Sequence, residues 1–135
     1  MKNSDLINDY LRRCDARLKA VEVLFQEESY ADVVRESQEI VELSLKALLR
    51  GINVSVPHIH DVGDILLENS KLLKNVRAAE LEEITEISRR LRRDRELSFY
   101  GSEDLTPSTY YRKKDATEAK NGAKKVVVFC KGLLK

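Results

Sequence analysis

The chain has 135 residues, of which 42% are hydrophobic and 35% are charged, and its formal net charge is +1. This length predicts a single domain over residues 1–135, with one core and too little chain for a second. The apolar runs are too short to span a membrane, and the opening MKNSDLINDYLRR has no signal-peptide core, so we expect a cytoplasmic protein.

Apolar residues recur with a period of 3.6 in several long segments, which predicts an all-α protein. A first helix is predicted over residues 4–28, with Ser4 as its N-cap. A second is predicted over residues 30–50 and ends at Gly51, the residue type preferred at helix C-termini. Its broad apolar face predicts that this second helix is central.

Three further helices are predicted after the loop that contains Pro57. A short third helix begins after Asp61, a fourth spans residues 77–99 and a fifth spans residues 115–134. Four long helices and a short one predict an antiparallel up-and-down helical bundle. The predicted core residues are Val41, Leu45, Leu48, Ile84, Leu91, Val127 and Leu134.

Charge is unevenly distributed along the chain. Residues 22–42 carry seven acidic groups and one arginine, whereas residues 112–135 carry eight basic groups and two acidic ones. The segment RRLRRDR at residues 89–95 adds five more arginines. This division predicts either ion pairing between helices of one chain, or pairing with a second copy or an acidic partner.

Both histidines lie in the loop VPHIHDVGD, residues 56–64. A metal needs three or four converging ligands, and beyond His58, His60, Asp61 and Asp64 this loop has no thiolate and no third histidine. Asp61 and Asp64 have a structural role as N-cap and first-turn acid of the third helix. We therefore predict no metal site and no cofactor.

Several sequence motifs of catalysis and nucleotide binding are absent. Neither a P-loop nor a G-x-G-x-x-G fingerprint occurs. Cys14 and Cys130 lie in apolar helical stripes and form no CxxC pair, so we expect neither a disulfide nor a catalytic thiol.

A series of loose motifs in a fixed order carries a family resemblance. The run YADVVRESQEIVELSLKALLRGINVSVPHIHDVGDIL is followed by an arginine-rich helix ending RELSFYG, by Pro107 and Tyr110-Tyr111 in a loop, and by an alanine-rich helix. Over residues 30–134 this order resembles the HEPN domain (higher eukaryotes and prokaryotes nucleotide-binding). The resemblance implies a helical bundle that often dimerises and is often partnered with a small nucleotidyltransferase. Some members of this family are metal-independent RNases of toxin–antitoxin systems, so the resemblance also implies this activity as a possibility to test.

The RNase members carry an arginine, four to six further residues and then a histidine. Here Arg95 is followed after four residues by Tyr100, and no histidine occurs after residue 60. RNA cleavage by 2′-OH attack needs a base that titrates near neutrality, whereas a phenol has a reference pKa near 10. The favoured function is therefore a non-catalytic accessory or binding protein. The alternative is an RNase in which Tyr100 or a displaced His60 replaces the usual base.

Arg95 is predicted to point inward or into a groove. At about 100° per residue it shares a stripe of the fourth helix with Leu81, Ile84, Ser88 and Leu91. Either Glu39 or Glu42 of the second helix pairs with it, or it binds a phosphate. The predicted ligand-binding residues are Arg95, Tyr100, Glu42, Lys46 and Arg92.

The predicted partners follow from charge and resemblance together. We expect a homodimer, formed through weakly hydrated helix faces from the second half of the chain. A nucleotidyltransferase protein and a nucleotide or RNA are the further expected partners, and no membrane is expected.

Overall fold

The structure, a computed structural model, describes residues 2–56 and 61–134. Its helices are α1 (Lys2–Gln26), α2 (Tyr30–Gly51), α3 (Val62–Glu68), α4 (Ala78–Arg93), α5 (Arg95–Tyr100), α6 (Pro107–Tyr110) and α7 (Lys113–Leu133), with a 3-10 turn at Ser70–Leu72. The described part contains no strand, only an isolated bridge between Ser102 and Leu105. The predicted all-α bundle of four long helices and a short one is confirmed, with α5 and α6 as additional short helices. None of the described helices combines the length and apolarity needed to cross a membrane.

The four long helices alternate in direction along the chain. A tight turn around Glu28, which has a φ of 60°, reverses the chain between α1 and α2. Helix α7 is antiparallel to α1, because Lys120 contacts Glu22 at 3.0 Å while Lys131 contacts Asp15 at 2.7 Å. The same alternation places α4 antiparallel to α7, and the order is up, down, up, down.

Helix α2 is central, as predicted. It packs most extensively on α1 and α7 and also contacts α3, α4, α5 and α6. Small buried residues of α7 let its backbone come close to the neighbouring helices: Ala116, Ala119 and Ala123. Six of the seven predicted core residues are buried, and Leu134 is partly buried against the same core.

Two predicted helix ends are corrected. Helix α1 begins at Lys2, so Ser4 lies inside its first turn, because no Gly or Pro interrupts the residues before it. Gly51 is the last residue of α2, and the left-handed residue beyond this helix is Asn53, with a φ of 61°. The small size of Gly51 serves packing instead, since a Cβ atom there would collide with the Leu134 side chain.

The predicted fourth helix is interrupted at Asp94. The N–H of Asp94 donates to the Leu91 carbonyl at 3.2 Å, which tightens the last turn of α4. The Asp94 carboxylate accepts a hydrogen bond of 3.2 Å from the Tyr111 hydroxyl in the segment before α7. Asp94 keeps a right-handed helical backbone, with φ −86° and ψ −2°, so the interruption is confined to one residue between α4 and α5.

The division of charge along the sequence is matched within the chain. Glu22 pairs with Lys120 at 3.0 Å, and Glu42 pairs with Arg92 at 3.7 Å. These two contacts join the acidic segment to both basic segments. Internal ion pairs therefore account for part of this division of charge.

Candidate ligand-binding site

Four polar side chains form one strip along α2. Spacings of four, three and four residues place them on one face of the helix: Arg35, Glu39, Glu42 and Lys46. All of them are partly buried. The Arg35 guanidinium pairs with the Glu39 carboxylate at 3.2 Å, one turn further along α2. The predicted strip of Glu39, Glu42 and Lys46 is present and extends to Arg35, but its members have different partners.

Arg92 joins α4 to this strip through Glu42. The two side chains are 3.7 Å apart and 30% and 20% exposed. With Gln38, Asp61 and Ser88 they enclose a cavity of about 10 Å³, which has room for about one water molecule. The buried Oε1 of Gln38 has no hydrogen-bond partner among the described residues. In this arrangement Arg92 and Glu42 form a junction between helices, and the cavity beside them is too small for a nucleotide.

Arg95 lies apart from the two glutamates expected to hold it. Glu42 pairs with Arg92 and Glu39 pairs within α2. No ion pair joins Arg95 to either glutamate in the described part of the chain. Of the two predicted alternatives, pairing with Glu39 or Glu42 is therefore not seen, and phosphate binding stays a prediction. The side chain is partly exposed at the start of α5.

Helix α5 ends in two exposed aromatic rings. Phe99 is 50% exposed and Tyr100 is 77% exposed, and their ring centroids lie 4.5 Å apart in an edge-to-face arrangement. The Arg35 guanidinium lies 4.9 Å from the Phe99 centroid, a cation–π contact. Arg95 begins the same short helix. We call Arg35, Arg95, Phe99 and Tyr100 together the α5 surface.

Lys46 belongs to a different part of the molecule. It lines an open basin of about 610 Å³ with Tyr10, Arg50 and residues 53–56. None of the other four predicted ligand-binding residues lines this basin. The structure therefore divides the predicted site into three places: the Arg92–Glu42 junction, the Lys46 basin and the α5 surface with Arg95 and Tyr100.

A cleft between α4, α6 and α7 contains features that the sequence did not reveal. Its volume is about 240 Å³. Tyr111 is 3% exposed in its wall and donates its hydrogen bond to Asp94. Burial, and secondly the negative charge of Asp94, raise the pKa of the Tyr111 phenol. The only sequence signal for this cleft was the Tyr-Tyr pair that follows Pro107.

The loop histidines His58 and His60 lie outside the described residues. The structural role predicted for Asp61 is confirmed, since its carboxylate accepts a hydrogen bond of 2.9 Å from the Gly63 N–H at the start of α3. Asp64 lies in the first turn, as predicted. Within residues 2–56 and 61–134, no group of three or more His, Cys, Asp or Glu side chains could hold a metal ion.

Both cysteines are buried in the helical core. The Cys14 thiol donates to the Ile40 carbonyl at 3.7 Å, and burial raises its pKa to about 11. Burial also raises the pKa of Cys130, against a hydrogen bond with Ser44 that lowers it. Thiols held in the protonated form are poor nucleophiles.

Comparisons with known proteins found one family model and one solved structure that are similar to this chain. The family model of the HEPN domain matches residues 7–133. The fold is similar to that in the crystal structure of ST0689, an archaeal HEPN homologue, with a TM-score of 0.69 and 22% sequence identity. That alignment covers 96% of this chain and 98% of the other. At this identity the likeness shows the shared fold alone. The comparison with curated proteins gave no match.

Proposed function

The chain belongs to the HEPN domain family, and we propose that it is a non-catalytic binding member whose α5 surface holds a phosphate-bearing ligand. The phosphate belongs either to a free nucleotide or to the backbone of a single-stranded RNA. In this proposal Arg95 contacts the phosphate and Tyr100 stacks on the base.

The observation that carries this proposal is the combination of one arginine and two exposed aromatic rings on one short helix. Tyr100 is 77% exposed, so its ring is available for stacking, which is worth about 1–3 kcal/mol per base. A guanidinium binds phosphate through two parallel hydrogen bonds, and neither Glu39 nor Glu42 occupies Arg95. Arg35, which pairs with Glu39 at 3.2 Å, packs on the Phe99 ring at 4.9 Å and holds that ring beside α2.

Tyr100 favours binding over cleavage at this surface. It stands where RNase members of the family carry a histidine, and a phenol is a poor general base at neutral pH. Its exposed ring suits stacking without a change of protonation state. An RNase function would need a base from Tyr100 or from His60, and the test below includes that outcome.

We further propose a homodimer and a small nucleotidyltransferase as the protein partners. Both proposals are supported by the family resemblance of residues 30–134. Val128 on α7 is 68% exposed and supplies apolar surface in the second half of the chain, where the dimer contact is proposed.

Incubation of the purified protein with mixed-sequence single-stranded RNA and with AMP, both in EDTA, tests the proposed function. Fluorescence anisotropy and calorimetry report binding, and a denaturing gel reports cleavage. We expect intact RNA and an affinity that falls about tenfold or more in Arg95→Ala, since a charged hydrogen bond is lost. RNA bound much more tightly than AMP would identify the RNA backbone as the ligand, and comparable affinities would identify a nucleotide.

Arg89→Ala is the matched control. It removes the same charge from a neighbouring arginine that already pairs with Glu86 and Asp64, so we expect its affinity to match the parent. Equal binding by the parent and by Arg95→Ala would contradict the proposal. Cleavage that vanishes in Arg95→Ala would establish the RNase function instead, and loss of cleavage in His60→Ala would identify the base.

A further inference from the structure

The cleft between α4, α6 and α7 is a concave site separate from the α5 surface. Its volume of about 240 Å³ lies below the range of about 300–1,000 Å³ typical of drug-sized pockets, so a ligand that fills it is small. Its apolar lining consists of Val34, Ile87, Leu91 and Ala119. A flat hydrocarbon ring is the simplest group that such a lining takes up from water.

Aromatic residues form one wall of the cleft. Tyr111 is 3% exposed and fixed by its hydrogen bond to Asp94, while Tyr110 is 52% exposed. Their ring centroids lie 4.9 Å apart in an edge-to-face arrangement. The buried ring of Tyr111 holds the exposed ring of Tyr110 in place. The exposed ring can then pack against an aromatic ring of a ligand.

Two arginines of α4 supply positive charge at the cleft. Arg90 and Arg93 are both exposed and line the cleft, three residues apart on one helix. Neither makes an ion pair or hydrogen bond with the side chains that the structure describes. Such a pair of like charges repel each other, and an anion placed between them relieves the repulsion.

Three carboxylates also line the cleft and keep their negative charge. Asp94 accepts the hydrogen bond of Tyr111, and Asp115 accepts one of 2.9 Å from the Arg112 N–H at the start of α7. Glu118 belongs to the α7 side of the cleft with Asp115. An anionic ligand would direct its charge away from these two carboxylates and toward α4, where Arg90 and Arg93 lie.

We propose that this cleft binds a small aromatic anion, one planar ring that carries a carboxylate or a phosphate. The ring packs on the apolar lining and against Tyr110, and the acidic group binds Arg90 and Arg93. This site shares no residue with the α5 surface and goes beyond the proposed function.

Four probes separate the two parts of such a ligand: benzoate, phenyl phosphate, inorganic phosphate and phenol. Calorimetry should show binding of benzoate or phenyl phosphate, and the tighter of the two identifies the acidic group. Inorganic phosphate and phenol should each bind at least about tenfold more weakly, because phosphate lacks the ring and phenol lacks the acidic group. No binding of either aromatic anion, or equal binding of one of the half-probes, would overturn the proposal.

Two variants and one map locate the binding. The double variant Arg90→Ala/Arg93→Ala should lower the affinity for the bound probe about tenfold or more. Arg89→Ala, on the same helix but outside the cleft, should leave this affinity unchanged. Amide chemical shifts in the parent should change within residues 87–94 and 110–119. Changes confined to other residues, or unaltered affinity in the double variant, would show that the cleft is not the site.

Discussion

The Arg92 guanidinium lies 3.7 Å from the Glu42 carboxylate and ties α4 to the central helix. Both side chains are mostly buried, beside the Oε1 of Gln38, for which the described residues supply no hydrogen-bond partner. Removing Arg92 leaves the partly buried carboxylate of Glu42 without its cationic partner. We expect Arg92→Ala to lower the free energy of unfolding by about 1–2 kcal/mol in urea titrations.

Arg89→Ala is the control for that measurement. Arg89 is 52% exposed and pairs with Asp64 and Glu86, which are also exposed, so its loss should cost at most about 0.5 kcal/mol. Equal effects of the two substitutions would show that the Arg92–Glu42 junction contributes no more than a surface ion pair.

Gly101 ends α5 in a conformation that other residues adopt only with strain. Its φ is 77°, and a Cβ atom would lie 2.5 Å from the Leu105 carbonyl oxygen, which belongs to the backbone and cannot easily move. We expect Gly101→Ala to lower the free energy of unfolding by about 1–3 kcal/mol and to disorder the α5 surface. Chemical denaturation measures the first effect and RNA affinity the second.

Gly132 is the matched control glycine. It lies within α7, and nothing is within 4 Å of a Cβ atom placed there. Gly132→Ala should be neutral or should stabilise the protein by up to about 1 kcal/mol, because alanine is the better helix former. If Gly132→Ala destabilised the protein as much as Gly101→Ala, the effect at Gly101 could not be attributed to backbone strain.

The two buried thiols predict how stability depends on pH in alkaline solution. Burial raises the pKa of Cys14 from 9.0 to about 11, and also raises that of Cys130. As the pH rises, the thiols of the unfolded chain lose their protons before those of the folded chain. The stability that the two buried thiols contribute is therefore complete below a pH of about 9 and is lost as the pH rises through about 11. We expect the free energy of unfolding to fall over this range.

The double variant Cys14→Ala/Cys130→Ala separates the effect of the thiols from that of lysines and tyrosines, which titrate in the same pH range. Urea unfolding at several pH values should show a smaller fall for this variant than for the parent. An identical pH dependence would mean that the thiols are not the cause.

The internal charge pairs predict the salt response of the proposed homodimer. Because Glu22 and Glu42 already pair with Lys120 and Arg92, dimerisation does not depend on matching acidic to basic segments between chains. Light scattering at about 50 μM should give the mass of a dimer in dilute buffer and in about 0.5 M salt, where exposed charges are screened. A strict monomer would contradict the dimer, and dissociation by salt would show that charge pairs between chains hold the dimer together.

The fold was predictable because its long helices have strong apolar periodicity. Val41, Leu45 and Leu48 share a face of α2 in sequence and are buried in the structure. The end of α4 was not predicted. Asp94, the residue between α4 and α5, accepts a hydrogen bond from Tyr111, which lies 17 positions away and which no local pattern relates to it.

The candidate site was predictable only in part, for the same reason. The spacing of Glu39, Glu42 and Lys46 on α2 was readable from the sequence, but their partners were not. Glu42 pairs with Arg92 and not with Arg95, although both arginines belong to the predicted fourth helix. Helical phase predicts the face on which a side chain lies, but not which neighbour it pairs with.

Titration of Arg95→Ala with labelled single-stranded RNA, together with thermal melting of the same variant, tests the central claim most directly. If Arg95 serves the ligand, the melting temperature should stay within about 2 °C of the parent while affinity falls about tenfold or more. Tyr100→Ala should behave in the same way, because its ring is 77% exposed and supports little of the core. A fall of more than about 5 °C in Arg95→Ala with unchanged affinity would make Arg95 a structural charge and contradict the proposed site.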